Sequence, residues 1–459
     1  MEPLGASFRD PSGAVVRSGG EILRVVRPVY QPHYERFMAS GLCQALVDAG
    51  LLIPHTEVES RSDEIFKVLR PRQLEFVSYP YEWSFSQLKD AALTTLRIQK
   101  EAVARGMNLK DASAFNIQFL DGRPVFIDTL SFEILPEGRP WAAYQQFCRH
   151  FLAPLALMSR RDPRLGQLSR THLDGVPLDL ASKLLPPGTW ARLWLLVHVH
   201  LHARSQRRHA DADPASAPGR RAGSYSLRSL LGLIQSLESA VNSLRWSPQK
   251  AVWGAYYQTT VTGGDYVRRK QQVVSQWLER LNPRSVWDLG ANTGVFSRLA
   301  AGRGVPTLAF DGDIDCVEIG YLEGRQRGER HLLPLLMDLT NPSPALGWEC
   351  RERMAWLERG QPDLVMALAL VHHLALANNL PLDRLADFFA RLGARLIVEF
   401  VPKADSNARK LLRAREDIFP RYTREDFEIA FRRRFAIEAA EPMANSERVL
   451  YLMRRHEGQ

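Results

Sequence analysis

The second half of the sequence predicts an α/β fold, a doubly wound and mostly parallel sheet, and a separate α+β domain precedes it. Two observations lead to this fold class. From about residue 281 onward, strand patterns alternate with helix patterns, which is the order that builds a parallel sheet with helices on both faces. One of these strands, 363–371, is almost wholly apolar, as a strand covered on both faces requires.

The first strand of this half, 285–287, leads into a glycine-bearing loop. From Asp288 to Gly294 the sequence is DLGANTG, and 295–301 then predicts a helix. We expect backbone N–H groups at the start of this helix to face an anionic ligand. The glycines at 290 and 294 lack the G-x-G-x-x-G spacing of dinucleotide sites. Asn292 lies between them and is one of the few residues that tolerate a positive φ.

Later strands complete the expected sheet. They are predicted over 305–310, 332–336, 363–371, 395–401 and 448–453, with helices over 382–392 and 404–417. Asp311 ends the second strand and lies 23 residues after Asp288. An acidic residue at about this distance bonds ribose hydroxyls in α/β nucleoside sites.

The loop resembles motif I of class I S-adenosylmethionine-dependent methyltransferases, D/E-x-G-x-G-x-G, with Asn292 at the central glycine. The resemblance implies a seven-stranded methyltransferase sheet and S-adenosylmethionine as cofactor. It also implies that Asp311 holds the ribose, that Gly290 lies against the methionine moiety and that Asp338 contacts adenine. The full set of expected cofactor-binding residues is Asp288, Gly290, Asn292, Gly294, Asp311, Asp338 and Tyr257. For Tyr257, hydrophobic packing between a lid helix and the sheet is the alternative.

Acceptor-facing residues are expected beyond the fourth and fifth strands, because ligands of such sheets lie outside the carboxyl ends of the strands. The fourth strand leads to His372 and His373, and the fifth carries Glu399. A histidine can take a proton from an acceptor hydroxyl near neutral pH. His373 is the first candidate for a general base and His372 the second, with Glu399 as a further pocket-facing candidate. Packing in the pocket wall is the alternative for both histidines.

The first half carries a second constellation. Asp111 and Asn116 stand five residues apart, a hairpin follows with its turn at Asp121-Gly122, and Asp128 ends the hairpin. This pattern resembles the catalytic loop of kinase-like phosphotransferases. The resemblance implies that Asp111 is the base and that Asn116 and Asp128 hold Mg²⁺ in a nucleotide site.

This half also departs from the kinase-like pattern. Leu-Lys precedes Asp111, the usual strand lysine is not recognisable, and Asp128-Thr-Leu replaces D-F-G. A kinase-like fold without kinase chemistry therefore remains an alternative, as does simple turn chemistry at Asn116.

A segment without large apolar side chains divides the chain. Such a segment cannot bury enough surface to offset its ordering entropy, so a flexible linker is expected there. The expected organisation is an N-terminal domain at 1–203, a linker at 204–224, a helical lid or connector at 225–280 and a methyltransferase domain at 281–459.

The composition argues against a disulfide-rich protein, a metal site and a membrane span. The four cysteines are scattered without a C-x-x-C pair, which favours reduced thiols and a cytoplasmic location. No metal site is expected, because the alternating histidines at 198, 200 and 202 have neither a cysteine nor a carboxylate beside them. No apolar run is long enough for a membrane span and no signal pattern is evident. The net charge of +9 leaves nucleic acid as a less favoured partner.

The pattern as a whole resembles a bacterial group of methyltransferases that carries a nodulation-protein label. The stretches that resemble it are 109–133, 253–270, 288–294 and 399–419. We expect an enzyme that methylates an oxygen or nitrogen atom of a small-molecule, glycan or lipid acceptor. Two alternatives stay open: an RNA or protein methyltransferase that uses its first half for recognition, and a phosphotransferase in the first half.

Overall fold

The structure is a computed structural model and consists of two compact units. It describes residues 2–59, 62, 64–202, 225–248, 264–413, 417–443 and 446–457. The first unit comprises Met1–Ser247 and Pro344–Met354, and the second comprises Pro248–Ser343 and Ala355–Gln459. The expected linker 204–224 lies outside the described residues. Residues 225–247, which were expected in the helical connector, fall in the first unit, and so does the segment Pro344–Met354.

The first unit begins with an antiparallel sheet in the order β1-β2-β3-β5-β4. Two further antiparallel pairs, β6 with β9 and β7 with β8, follow. The strands are β1 Glu2–Pro3, β2 Gly13–Ser18, β3 Glu21–Val26, β4 His55–Val58, β5 Lys67–Pro71, β6 Met107–Leu109, β7 Ile117–Leu120, β8 Arg123–Phe126 and β9 Phe132–Ile134. The turn between β7 and β8 has positive φ at Asp121 and Gly122, as the sequence predicts for a two-residue hairpin.

Helices form the rest of the first unit. They are α1 Gln31–Ala39, α2 Leu42–Asp48, α3 Phe85–Ala104, α4 Tyr144–Phe147, α5 Ala153–Arg160, α6 Leu168–Thr171, α7 Leu178–Leu184, α8 Leu193–Leu195 and α9 Leu227–Ser243. The long helix α3 is the packing centre, because its buried side chains recur at helical spacing from Phe85 to Val103. Lys100 on α3 forms an ion pair with Glu238 on α9, so the first helix of the expected connector belongs to this unit.

The segment Pro344–Met354 departs from the second unit and belongs to the first. Arg9 donates to Glu352 Oε1 from two nitrogens, at 2.9 and 2.7 Å. The backbone N–H of Met354 donates to the hydroxyl of Tyr79 at 2.9 Å, and the Arg353 guanidinium lies 4.0 Å from the centre of the Phe115 ring. The first unit is therefore built from two separate stretches of the chain.

The second unit is a seven-stranded sheet in the order β12-β11-β10-β13-β14-β16-β15. The strands are β10 Val286–Leu289, β11 Thr307–Asp311, β12 Leu332–Leu336, β13 Leu364–Ala367, β14 Arg395–Phe400, β15 Phe435–Pro442 and β16 Val449–Arg455. Strands β10 to β14 pair in parallel, and β16 is antiparallel to both its neighbours. Since the chain moves from β10 outward to β12 and returns to β13 on the other side, β10 marks the topological switch point.

Helices flank this sheet. They are α10 Gly264–Leu281, α11 Ser297–Ala301, α12 Ile314–Arg327, α13 Leu382–Leu392, α14 Ser406–Leu412 and α15 Arg424–Arg432. Helix α10 buries Tyr266, Lys270, Val273, Val274 and Trp277 along one stripe, and its apolar members join a core cluster with side chains of β10, β13, β14 and β16. The second helix of the expected connector thus covers the seven-stranded sheet.

Three expectations differ from the structure. Strand β13 ends at Ala367 instead of 371, because Ala369 has a φ of +51° and turns the chain. Helix α11 begins at Ser297 instead of 295. The sequence patterns did not identify β15, which is an edge strand with alternating burial and a bulge between Ile437 and Ala439.

The histidines at 198 and 200 are packing residues. The ring nitrogens of His198 bond the hydroxyls of Tyr144 and Ser236 at 2.8 and 2.7 Å, and those of His200 bond the hydroxyls of Ser182 and Thr189 at 2.8 and 3.0 Å. Each ring is thereby held by two side-chain hydroxyls. Within the described residues no helix is long and apolar enough to cross a membrane.

Candidate active site

The loop after β10 takes left-handed conformations at alternate positions. Gly290, Asn292 and Gly294 have φ values of +71°, +54° and +85°. A Cβ at Gly290 would lie 3.1 Å from Cδ1 of Leu370, on top of the unfavourable φ. The structure confirms that Asn292 adopts the positive φ that the sequence predicts for it. The loop lies at the switch point, where α/β sheets bind their ligands.

The protein itself uses the backbone N–H groups of this loop. Gly290 and Ala291 donate to the Phe310 carbonyl at 2.9 and 3.0 Å, and Gly294 donates to Ala291. The N–H of Thr293 donates to the side-chain oxygen of Asn292 at 2.8 Å. The N–H groups of Gly290, Ala291, Thr293 and Gly294 are therefore bonded within the protein, the first two of them to β11, and helix α11 starts only at Ser297.

Asp311 closes the loop from the neighbouring strand. Its Oδ2 accepts the backbone N–H of Asn292 at 2.7 Å, and its Oδ1 accepts that of Asp313 at 2.8 Å. Burial raises the pKa of Asp311 to about 6, although these N–H groups oppose the shift. The donors are neutral, so the ionised carboxylate keeps its full charge and an unused lone pair at the carboxyl end of β11.

Asp288 and Asp338 take different positions. Asp288 is buried and accepts the Ser297 hydroxyl at 2.6 Å, and burial raises its pKa to about 6. It fixes the start of α11 to the end of β10. Asp338 is exposed beyond β12, where its Oδ1 accepts both the N–H and the hydroxyl of Thr340 at 2.8 and 2.7 Å. Tyr257, the remaining predicted cofactor residue, lies outside the described residues.

His372 and His373 follow the turn at Ala369, and a π-helical turn runs from His373 to Ala377. Their rings are 4.2 Å apart. His372 is fully buried, and neither of its ring nitrogens has a hydrogen-bond partner among the described residues. Burial and the charge of Arg448 lower the pKa of His373 below its ordinary value. The ring of His373 is therefore neutral at pH 7 and able to accept a proton.

Glu399 lies inside an ion cluster beneath the site. Its Oε2 accepts Lys270 Nζ at 2.6 Å, and its Oε1 accepts the Tyr266 hydroxyl. Arg448 reaches Glu399 at 3.8 Å and pairs with both oxygens of Asp405 at 2.8 and 2.9 Å. Burial acts to raise the pKa of Glu399, but Lys270 and Arg448 outweigh it and lower the pKa. Glu399 is fully buried and neutralised, which favours a positioning role over contact with an acceptor.

A pocket opens beyond the carboxyl end of β14. Its volume is about 360 Å³, and its walls include Phe400, Pro402, Tyr422, Arg424, Glu447 and Arg448. This volume lies at the lower end of the range of small-molecule sites. Because β10, β13 and β14 are parallel, the pocket opens at the same edge of the sheet as the glycine loop. Arg448 lines this pocket, and its charge also acts, after burial, to lower the pKa of His373.

The three residues singled out in the first half also converge. Asp111 accepts a hydrogen bond from the side chain of Asn116, and the charge of Asp128 helps to raise its pKa after the larger effect of burial. Asn116 donates to the hydroxyl of Ser131 at 3.3 Å, and that hydroxyl donates to Asp128 Oδ2 at 2.7 Å. A guanidinium on β3 that the sequence reasoning overlooked, that of Arg24, forms an ion pair with Asp128 Oδ1.

Comparison with known proteins identifies the family. Nodulation protein NoeA of Rhizobium meliloti (strain 1021) is 34% identical over 461 residues, and the match covers 99% of this chain and 96% of that protein. The chain belongs to the NoeA family. This confirms the nodulation-protein group that the sequence resembles, although the name of the family does not describe a reaction. No family model matches the chain.

Solved structures resemble the NoeA-family chain only distantly. Magnesium protoporphyrin IX methyltransferase (ChlM) from Synechocystis PCC 6803 with bound S-adenosylmethionine is 16% identical, covers 45% of this chain and 93% of its own, and has a TM-score of 0.31. The bifunctional kinase-methyltransferase WbdD is 14% identical, with 48% of this chain and 46% of its own covered and a TM-score of 0.32. Similarity at this level gives no information about substrate.

Two arginines lay beyond the sequence reasoning: Arg448, which joins the ion cluster with Glu399 in the second unit, and Arg24, which pairs with Asp128 in the first. Tyr266 and Lys270 complete the cluster with Glu399 and, four positions apart, share the apolar stripe of α10. The two arginines gave no signal in the sequence, because arginines are common in this chain and their partners lie far away along it.

Proposed function

We propose that the second unit is an S-adenosylmethionine-dependent methyltransferase that methylates an oxygen or nitrogen atom of a small-molecule, glycan or lipid acceptor. One observation carries the proposal. The loop after β10 is left-handed at three alternate positions and is fastened by a carboxylate from β11, at the switch point of a parallel sheet. That arrangement places a carboxylate whose hydrogen-bond donors are neutral N–H groups where a nucleoside ligand binds in such sheets.

The residues present fit this cofactor. Gly290 and Gly294 supply the positive φ values that the loop needs, and the absence of a Cβ leaves room for Leu370 and Arg298 beside them. Asp311 retains charge and an unused lone pair, which suits ribose hydroxyls and a cationic ligand better than a phosphate. Asp338 is exposed beyond β12 and is the proposed adenine-side residue. When bound, S-adenosylmethionine supplies an electrophilic methyl group carried by a sulfonium.

The acceptor side consists of the histidine pair and the pocket beyond β14. His373 is neutral at pH 7 because its pKa is lowered, so it accepts the proton that the acceptor O–H or N–H loses as its bond to the methyl carbon forms. Among the described residues neither ring nitrogen of the buried His372 has a hydrogen-bond partner, and a buried polar group without a partner is costly unless a ligand or water satisfies it. Tyr266, Lys270, Glu399 and Arg448 hold the surrounding elements in place.

Cofactor binding to the full chain is the direct test. Calorimetric titration with S-adenosylmethionine and S-adenosylhomocysteine is expected to show saturable binding to the parent. The Gly290→Val variant is expected to lose it, because a branched side chain at a φ of +71° would also press on Leu370. Gly188→Val is the matched control, since a Cβ there meets nothing within 4 Å. Absence of saturable binding by the parent at millimolar ligand would refute the proposed cofactor.

The acceptor class is decided by a transfer assay. The full chain and S-adenosylmethionine with a radioactive methyl group are incubated separately with hydroxylated small molecules and glycans, with lipid extracts, and with RNA. The proposal expects label in one of the first two pools, and the label should disappear with His373→Ala. Label in RNA alone would instead support the nucleic-acid alternative. In that case the binding of RNA by the protein should weaken as the salt concentration rises.

A further inference from the structure

The Asp111, Asn116 and Asp128 constellation of the first unit already contains its own cation. Asp128 Oδ1 forms an ion pair with Arg24 of β3 and accepts the N–H of Leu130 at 3.0 Å, while Oδ2 accepts the Ser131 hydroxyl at 2.7 Å. The side chains of Arg24 and Asp128 are only 17% and 13% exposed. The charge of Asp128 is therefore neutralised in a largely desolvated place.

Asp111 is similarly engaged by protein donors. It accepts the N–H of Ser113 at 2.9 Å together with hydrogen bonds from the side chains of Asn116 and Gln146. The residue before it, Lys110, donates to the Ser12 hydroxyl at 2.9 Å and approaches Asp10 at 3.6 Å. These contacts tie the residue pair 110–111 to the segment before β2 and to α4, so the Asp111 carboxylate is oriented by protein donors.

A divalent cation does not fit between these groups. Mg²⁺ requires near-octahedral oxygen coordination and binds through carboxylates that carry free charge. Binding at Asp128 would place a dication beside the Arg24 guanidinium or would expel that guanidinium from its ion pair. A nearly buried cation without its partner is strongly unfavourable. Asp311 of the second unit is the contrast, since its donors are all neutral N–H groups.

We infer that the first unit is not a metal-dependent phosphotransferase: Arg24 is the permanent counter-ion of Asp128, and the constellation is an internal lock that joins β3 to the turn after β8 and to the segment containing Asp111. The inference is independent of methyl transfer in the second unit. Asp111, Asn116 and Asp128 are residue types that a kinase uses in catalysis, and in this chain they hold the first unit together.

Thermal unfolding of the full chain distinguishes a lock from a metal site. Removing a carboxylate from a metal site relieves repulsion and leaves the metal-free protein as stable or more stable, whereas removing it from a lock leaves Arg24 unpaired. We expect Asp128→Asn to lower the apparent Tm by about 5 °C or more. Asp121→Asn is the matched control, because Asp121 has an exposed ion pair with Arg72 in the same unit; its Tm is expected to stay within about 2 °C.

Metal titration of the parent protein is a second test, and it does not depend on whether a variant folds. A bound ligand at a concentration well above its Kd raises the Tm. We therefore expect magnesium or manganese chloride at about 10 mM, with or without ATP, to leave the Tm of the parent unchanged. Calorimetry should likewise show no saturable binding of ATP. In Arg24→Met, which frees Asp128, the lowered Tm is expected to recover partly on addition of Mg²⁺.

Two results would overturn the inference. The first is Mg²⁺-dependent ATP binding by the parent that Asp128→Asn abolishes. The second is a rise in the Tm of the metal-free protein on Asp128→Asn substitution.

Discussion

The carboxylate of Asp311 accepts the backbone N–H of Asn292 at 2.7 Å, so β11 fastens the loop that follows β10 in the seven-stranded sheet. This bond explains how the loop keeps its shape with an asparagine at the central glycine position. Asn292 supplies the positive φ, and Asp311 fixes the N–H that this conformation presents. One carboxylate thus has both a structural partner and capacity for a ligand.

Substitution of Asp311 by Ala is expected to weaken binding of S-adenosylmethionine by about 1.5–3 kcal/mol, the range for hydrogen bonds to a charged group. The same substitution releases the N–H of Asn292, so the loss should lie toward the upper end. Calorimetric titration measures it. Asp315→Ala, in the first turn of the following helix, serves as the control. Equal affinity in the Asp311 variant and the parent would contradict the ribose assignment.

Cofactor affinity should depend on pH through Asp311. Burial raises its pKa to about 6, so the carboxylate is ionised at pH 7.5 and mostly protonated at pH 5. A protonated carboxyl has lost its charge and part of its accepting capacity, and we therefore expect the affinity to fall as the pH is lowered through 6. Titrations at several pH values check this. The Asp311→Asn variant should bind weakly with a flatter profile, whereas a steep profile in that variant would assign the titration elsewhere.

The buried pair of Lys270 and Glu399 should be important for stability. The two side chains are 4% and 0% exposed, so removal of one partner leaves an uncompensated buried charge. Lys270→Met is expected to reduce the free energy of unfolding by about 3–5 kcal/mol. Urea denaturation gives the value. The double variant Lys270→Met/Glu399→Gln should lose less than Lys270→Met alone; a larger loss would show that the charge of Glu399 is balanced mainly by Arg448.

Turnover should depend on His373. If it accepts the acceptor proton, His373→Ala should lower kcat by about 10²–10⁴ with cofactor affinity nearly unchanged. Because its pKa is lowered, the rate of the parent should be flat above pH 6.5 and should fall only at lower pH, where the ring becomes protonated. The variant should lose this low-pH decline. Turnover within a few-fold of the parent at all pH values would make His373 a wall residue and transfer the role to His372, which His372→Ala would then test.

Most strands of the second unit could be predicted from the sequence, whereas the ion-pair partners of the buried carboxylates could not. Mostly apolar runs define β10 to β14, because burial on both faces leaves little room for polar side chains, and in helix α13 apolar residues recur at helical spacing between charged ones. Edge strand β15 escaped because one of its faces is exposed and it contains a bulge. The positions of Asp288, Asp311 and the histidine pair followed from the rule that ligands lie beyond strand ends. The partners of Glu399 and Asp128 did not, since Arg448 and Arg24 lie 49 and 104 positions away along the chain and long-range pairing leaves no local pattern.

The segment Pro344–Met354 makes it unfavourable to separate the two halves of the gene during evolution. A gene cut between the two halves, or a recombination event at residues 204–224, separates the first unit from Glu352, Arg353 and Met354, whose contacts with Arg9, Phe115 and Tyr79 belong to it. Neither half of the gene therefore encodes a complete unit that could be transferred to another protein. Lineages that carry this chain are expected to keep both halves together or to lose both.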